Sequence, residues 1–287
     1  MIVTRFAPSP TGFLHIGHAY AALTARQAAR DNGGKFLLRI EDIDLARCRP
    51  EFEQAICEDL TWLGIGWDTG VRRQSQHSED YTAAIERLET EGLVYPCFCT
   101  RNEIAAEIAR ATAAPHADEL VAARYPGICR SLSRAERAAR IANGNAYALR
   151  LDCTKALASI GTQKLAFEEM GSGPEGEEGH LRADPERIGD IVLARKELPT
   201  SYHLAVVVDD ALQGVTLVTR GQDLFAATHI QRLLQVLLSL PAPQYLHHRL
   251  ILNQEGKKFS KRDGAVTLRA LRNSGVSPEE IRRMIGM

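Results

Sequence analysis

Two histidines, His15 and His18, flank Gly17 directly after the loop Pro8-Ser9-Pro10-Thr11-Gly12. A spacing of three puts both imidazoles on one face of a helix. The apolar pair Ile2-Val3 before the loop and the alanine-rich stretch 19–30 after it read as strand, glycine loop and helix start. A helix N-terminus offers unpaired N–H groups and a partial positive charge, so it attracts phosphate. Two ring N–H donors there would stabilise the charge that develops when a nucleotide phosphorus is attacked. Near the other end, Lys257-Lys258-Phe259-Ser260-Lys261-Arg262 lies between Gly256 and Gly264, a composition suited to closing ammonium groups over a phosphate. Alone, a His-x-x-His pair is usually a solvated helix face and a basic run a solvated loop. Together, at opposite ends of an α/β pattern, they point to nucleotide chemistry.

A second constellation is built on sulfur. Cys97-Phe98-Cys99 is followed about thirty residues later by Tyr125-Pro126-Gly127-Ile128-Cys129. Zinc takes four ligands, usually thiolate or imidazole. Three thiolates leave one place, for which Tyr125 and His116 both stand within reach. Cys48, Cys57 and Cys153 are scattered and read as small buried hydrophobes.

These groups need a scaffold, and the rest of the chain supplies one. The 287 residues are 45% hydrophobic and 25% charged, enough for one large or two small globular domains. No apolar run approaches the ~18–20 residues of a membrane helix. Arg5 and Pro8 interrupt any leader-like pattern. The expectation is a cytoplasmic chain with no membrane partner, and a monomer. Net charge is −1, so a nucleic acid would have to meet a local patch. From Arg249 to Met287 nine Lys/Arg stand against four Asp/Glu.

Residues 1–95 read as strand, loop, helix, strand, helix. Phe36–Ile40 is a buried strand that ends at Glu41-Asp42, where acids would face a ligand crevice. Helical spacing recurs over 51–63 and 81–93. Residues 96–198 carry the cysteines, an Ala/Arg-rich stretch and a mobile-looking loop at 171–179. They read as an insertion between two halves of one nucleotide-binding sheet. Residues 199–248 would complete that sheet, with Tyr202–Val208 and Gln213–Thr219 as strands and His229–Leu240 as an amphipathic helix. Residues 249–287 hold the lysine loop and a short helical tail.

Taken together, His15-Ile16-Gly17-His18 and Lys258-Phe259-Ser260-Lys261-Arg262 resemble the two signature motifs of class I aminoacyl-tRNA synthetases. The second departs at Phe259 and Arg262. Arg5 through Gly12 resembles the bacterial glutamyl form. Arg39–Asp44, Trp62-Leu63-Gly64, Trp67-Asp68, Tyr202–Asp210 and Arg220-Gly221-Gln222-Asp223 extend the likeness over nearly the whole chain.

The resemblance implies an α/β fold. Its core would be a Rossmann-type domain with a parallel sheet, holding an inserted zinc-containing domain like those that bind acceptor stems. It implies ATP, carried with Mg2+, held by His15, Gly17, His18, Gly221, Asp223, Lys258 and Lys261. His15, His18 and Lys261 would stabilise the reacting phosphates. It implies L-glutamate as amino acid. Arg5 and Tyr202 would read its side-chain carboxylate, and Arg220 its backbone carboxylate. Glu41 would pair with its ammonium and Ser9 add a polar contact, beside Phe6, Ala7 and Pro8. It also implies one structural zinc on Cys97, Cys99 and Cys129 with Tyr125, leaving His116 as the alternative fourth ligand.

The chain stops about 25 residues after Arg262, where full-length members continue into an anticodon-binding region. A shortened branch of the family ends in the same way and glutamylates the queuosine base of tRNA(Asp). That makes tRNA(Asp) bearing queuosine the expected partner. Charging of a tRNA 3′ end, and another nucleotidyltransferase built on the same histidine loop, remain open.

Overall fold

The computed structural model describes residues 1–100, 102–105, 124–195, 198–252 and 266–287. Strand β1 (Val3–Phe6) leads through the Pro/Gly loop into helix α1 (Ile16–Asp31), then β2 (Lys35–Ile40), α2 (Pro50–Trp62), the short β3 (Arg72–Arg73), α3 (Ser78–Thr90) and β4 (Val94–Cys97). Further on come α4 (Arg134–Ala142), β5 (Ala148–Leu151), α5 (Cys153–Ile160), β6 (Ala166–Glu169), β7 (Gly179–Arg182) and β8 (Val192–Arg195). The second half holds α6 (Tyr202–Leu212), β9 (Leu217–Gly221), α7 (Phe225–Leu237) and β10 (Gln244–His248). Two short helices close the chain, α8 (Leu268–Asn273) and α9 (Pro278–Ile285).

β1, β2 and β3 pair in parallel. β10 pairs in parallel with β9 on one side and with β6 on the other. The two groups meet along β1 and β9. The Val3 amide donates to Thr216 Oγ1 at 2.9 Å and the Thr216 amide to Val3 O at 3.0 Å. The strand order β3-β2-β1-β9-β10-β6 is that of a doubly wound nucleotide-binding sheet. The expected α/β class with a parallel sheet is therefore present.

Both faces of this sheet are covered, which explains why β2 is buried from Phe36 to Ile40, with Arg39 as its one charged member. Phe36, Leu38 and Ile40 pack with α1, α2 and the tail residues Leu268, Ile281 and Ile285. Leu37 points the other way, into a core with α3, α6 and α7. Alanines 19, 22, 25 and 29 of α1 are all buried. Their small size brings the helix close enough for Thr4 Oγ1 to donate to Ala25 O at 2.8 Å. Three of the tail's nine basic residues serve docking. Arg272 pairs with Glu58 and Asp59 on α2, while Arg249 and Arg282 donate to the carbonyls of Ile285 and Leu63.

Two expectations need correction. Tyr202–Val208 is not a strand but the first part of α6. Leu204 through Asp210 are all buried, so the helix is apolar almost all round and shows no amphipathic period. A short apolar run rich in valine leaves helix and strand indistinguishable. Region 96–198 is also less self-contained than an insertion implies. β4, β5 and β8 form their own antiparallel sheet, but β6 and β7 extend the second half-sheet through β10. The loop 171–179 is the connection between β6 and β7, and Gln222 Nε2 donates to its carbonyls at Ser172 and Gly173.

Candidate active site

The crevice lies where the strand order reverses, beyond the C-terminal ends of β1 and β9. Ligands bind at such switch points in open α/β sheets. The loop after β1 is tied down locally, since the Glu41 amide donates to Pro8 O at 3.0 Å and the Arg49 amide to Pro10 O at 3.0 Å.

His15 and His18 cap the helix that they begin. His15 Nδ1 accepts from the Gly17 amide at 3.1 Å, and His18 Nδ1 accepts from the His15 amide at 3.2 Å. The pair works as a capping box with imidazoles in place of the usual hydroxyl and carboxylate. A neutral ring that accepts at Nδ1 carries its proton on Nε2. The ring centroids stand 3.8 Å apart, so both Nε2–H donors lie together at the helix start. Gly17 makes this possible. A Cβ there would stand 3.0 Å from His15 Cε1.

Next to His18 opens a cleft of about 270 Å³. Arg5, Ser9, Glu41, Tyr202 and Arg220 converge on it, together with Phe6, Ala7, Pro8 and Gly221. Every residue expected to contact an amino acid thus lines one cavity. The two arginines differ in their surroundings. Arg5 Nε donates to Asp210 Oδ1 at 3.0 Å, and Arg39 Nη2 reaches the same oxygen at 2.5 Å. Burial opposes charge on Asp210, but Arg5 and Arg39 outweigh it and hold its pKa below the ordinary value. Asp209, also fully buried, takes Arg72 Nε at 2.7 Å, Gln74 Nε2 at 2.8 Å and the Tyr81 hydroxyl at 3.0 Å.

Arg220 is 6% exposed, and among the described residues it has no carboxylate partner. Its guanidinium donates to His247 Nε2 at 3.0 Å, Gln231 Oε1 at 2.8 Å and Thr228 Oγ1 at 2.6 Å, all uncharged acceptors. A buried cation facing a cavity with no counter-charge is a site for an anion. Glu41 has the complementary property. Burial pushes its carboxyl up to about 7, against the pull of Arg39 and Arg5. A cationic group entering the cleft would restore its charge.

Gly221 and Asp223 follow directly on β9. A Cβ at Gly221 would stand 2.6 Å from Asp223 Oδ1 and 2.8 Å from Leu250 Cδ2, so a larger residue there would push both side chains aside. Lys258 and Lys261 lie outside the described residues. The chain after them is anchored at the histidine loop. Thr267 forms a β-bridge with His15, and the Leu268 amide donates to Leu14 O at 2.8 Å.

The three expected cysteines come together away from the cleft. The sulfurs of Cys97, Cys99 and Cys129 all lie within 4.8 Å of one another. The Tyr125 hydroxyl stands 3.3 Å from the Cys97 sulfur and 3.5 Å from that of Cys99. Tetrahedral zinc with bonds of roughly 2.3 Å places its sulfur ligands roughly 3.8 Å apart, so the donor set fits that ion. The Phe98 amide donates to Cys129 Sγ at 3.3 Å, a contact that favours thiolate. Burial opposes it, yet this and neighbouring hydrogen bonds lower the Cys129 pKa, whereas burial pushes the Cys99 thiol up to about 12. His116, the alternative ligand, lies outside the described residues.

Sequence reasoning did not single out Asp209, Asp210, Glu169 or His247. Two adjacent acids at the end of an apolar run were a usable signal. Nothing local marks Glu169 or His247, because their partners lie 78 and 27 residues away.

A histidine-capped helix start beside a switch-point cleft with a buried, uncompensated arginine defines a nucleotide-dependent synthetase. The comparisons agree. The family model of class I tRNA synthetases (E and Q), catalytic domain, matches residues 1–287, and the chain belongs to that family. It is 48% identical to the glutamyl-Q tRNA(Asp) synthetase of Rhodobacter capsulatus, covering 100% of both chains. It is 42% identical to that of Symbiobacterium thermophilum, covering 98% of this chain and 84% of the relative. Among solved structures, a glutamate tRNA ligase from Elizabethkingia meningosepticum, in complex with its amino acid, superposes with a TM-score of 0.72 at 29% identity. That match covers 92% of this chain and 52% of the ligase, so the chain spans about half the length of that relative.

Proposed function

We propose that the chain activates L-glutamate with ATP, without tRNA, and transfers the glutamyl group to the queuosine base of tRNA(Asp). The observation that carries the amino-acid half is Arg220, a buried guanidinium with no carboxylate partner among the described residues, lining the same cleft as Glu41. The acceptor is inferred from the full-length similarity to the glutamyl-Q tRNA(Asp) synthetases.

In the first half-reaction the glutamate backbone carboxylate attacks the α-phosphorus of ATP. A carboxylate–phosphorus bond forms, and the bond to pyrophosphate breaks. Arg220 would hold that carboxylate as it approaches, and ionised Glu41 would pair with the ammonium. Arg5, oriented by Asp210, would meet the side-chain carboxylate with the Tyr202 hydroxyl, and Ser9 would add a polar contact. Phe6, Ala7 and Pro8 would wall the cleft. A glutamine side chain would leave an arginine partly unpaired, which gives strong discrimination in a buried site.

The Nε2–H groups of His15 and His18 would donate to the ATP phosphates. Gly221 and Asp223 would bound the nucleoside side, and Lys258 and Lys261 would neutralise the leaving pyrophosphate. Mg2+ would enter with ATP and screen its charge. Positioning and electrostatics would thus supply most of the rate. Cys97, Cys99, Tyr125 and Cys129 would hold one structural zinc. In the second half-reaction a nucleophile of the modified base takes the glutamyl group and AMP leaves.

The test is glutamate-dependent ATP–pyrophosphate exchange by the purified, zinc-loaded protein without tRNA, followed by mapping of labelled glutamate on bulk tRNA with and without queuosine. Exchange, with label on the queuosine-bearing tRNA only, is expected. Folded protein without exchange overturns the reading, and label at the 3′ end reassigns the acceptor.

A further inference from the structure

We propose that Glu169 and His247 form a tautomer lock that aims the Arg220 guanidinium into the amino-acid cleft, which makes them positioning residues for glutamate. The inference rests on Arg220 being a glutamate ligand.

Glu169 ends β6 and His247 lies on the adjacent β10, where Tyr245 is in register with Glu169. Both side chains are 0% exposed. Glu169 Oε1 accepts the amides of Gly171 and His247, each at 2.9 Å. Its Oε2 lies 2.5 Å from His247 Nδ1. An ionised carboxylate only accepts hydrogen bonds, so the proton between them belongs to Nδ1. In the neutral ring Nε2 then becomes an acceptor, and Arg220 Nε donates to it at 3.0 Å. Burial holds His247 below its ordinary pKa, while the hydrogen bonds from His247 keep Glu169 low against its own burial. Both shifts favour this protonation state.

The consequence lies in the fork of Arg220. Gln231 and Thr228 take one N–H from each terminal nitrogen, and His247 takes Nε–H. A guanidinium has five N–H groups. One remains on each terminal nitrogen, the pair that meets a carboxylate bidentately. Phe225 packs edge-on to His247 at 5.1 Å and Tyr245 stacks on it at 6.1 Å, so the ring stays in its slot. The lock takes Glu169 from the segment between the sheet halves and His247 from β10, so that segment takes part in amino-acid selection.

The isosteric change Glu169→Gln tests this. Two backbone amides hold the oxygen of the new amide in place, so its NH2 faces His247 Nδ1. The ring must then carry its proton on Nε2, pointing at the Nε–H of Arg220. We expect the KM for glutamate in the exchange assay to rise roughly tenfold or more. The KM for ATP should stay within about twofold. Nitrogen-15 NMR of the labelled wild-type protein should report His247 as the Nδ1–H tautomer. A wild-type Nε2–H tautomer overturns the proposal, whether or not the variant folds. So does a folded E169Q protein whose glutamate KM stays within about twofold of wild type. Arg220→Gln separates this from the underlying reading. If R220Q leaves glutamate KM unchanged, Arg220 is not a ligand and the reading of the cleft fails instead.

Discussion

Asp210 is the test of whether the cleft arginines are held by charge or merely packed. It sits between Arg5, 5% exposed, and Arg39, 0% exposed, and accepts from both. Asp210→Asn keeps the shape and removes the charge, leaving Arg5 facing a neutral amide and Arg39 with only the longer pair to Asp209 at 3.8 Å. Breaking a buried pair by deleting one partner costs about 3–5 kcal/mol. With an unfolding entropy of about 2.1 cal/mol/K per residue, 287 residues give about 0.6 kcal/mol per kelvin. The melting temperature should therefore fall by about 5–8 °C. Asp80 provides the control, because it pairs with Arg72 at 2.6 Å but is 37% exposed. Water screens it, and Asp80→Asn should cost about 1 kcal/mol or less, about 1–2 °C. Differential scanning calorimetry at neutral pH reads both, and glutamate KM should rise in D210N because Arg5 loses its anchor. A D210N melting point within about 2 °C of the parent would refute the argument that charge holds this cluster together.

Three further outcomes are expected. Glu41 is raised to about 7, so below that pH it carries a proton and cannot pair with an ammonium. The KM for glutamate should therefore climb as pH falls through about 7, and Glu41→Gln should flatten that limb of the profile while raising KM throughout. Gly17→Ala drives a Cβ against the His15 ring, only 3.0 Å away, and should lower the exchange rate roughly tenfold with glutamate KM little changed. Atomic absorption should find one zinc per chain, lost in Cys129→Ala, and a strong chelator should lower the melting temperature of wild type but not of that variant.

The phosphate-facing part of the site was legible because it is local: His15, Gly17 and His18 sit within one turn, so spacing alone brought them together. Arg5, Glu41, Tyr202 and Arg220 are spread along the chain and were assigned through the family resemblance, not through spacing. Cys97, Cys99 and Cys129 were legible for another reason, since thiols at such intervals have few other uses. What escaped the sequence depends on distance or on context. The Tyr202 run is buried on every side, so no period of 3.6 or of 2 survives to separate helix from strand. Asp210 acquires meaning only when Arg5 and Arg39 arrive from β1 and β2. Glu169 lies in a stretch that reads as insertion and joins the site only through β10.

The seam between β1 and β9 also bears on how the chain is made. The Val3 amide waits for a hydroxyl 213 residues further along. During synthesis β1 emerges first, with one edge unpaired and Arg5 lacking Asp210. Until β9 follows, β1 has an open edge and carries an unpaired charge, the kind of edge that invites wrong partners. The glutamate site is complete only once Arg220 on β9 has been added. Ligands that bridge Arg5 and Arg220 would then clasp the two halves of the sheet and slow their separation, so that substrate would act on the lifetime of the fold as well as on the reaction.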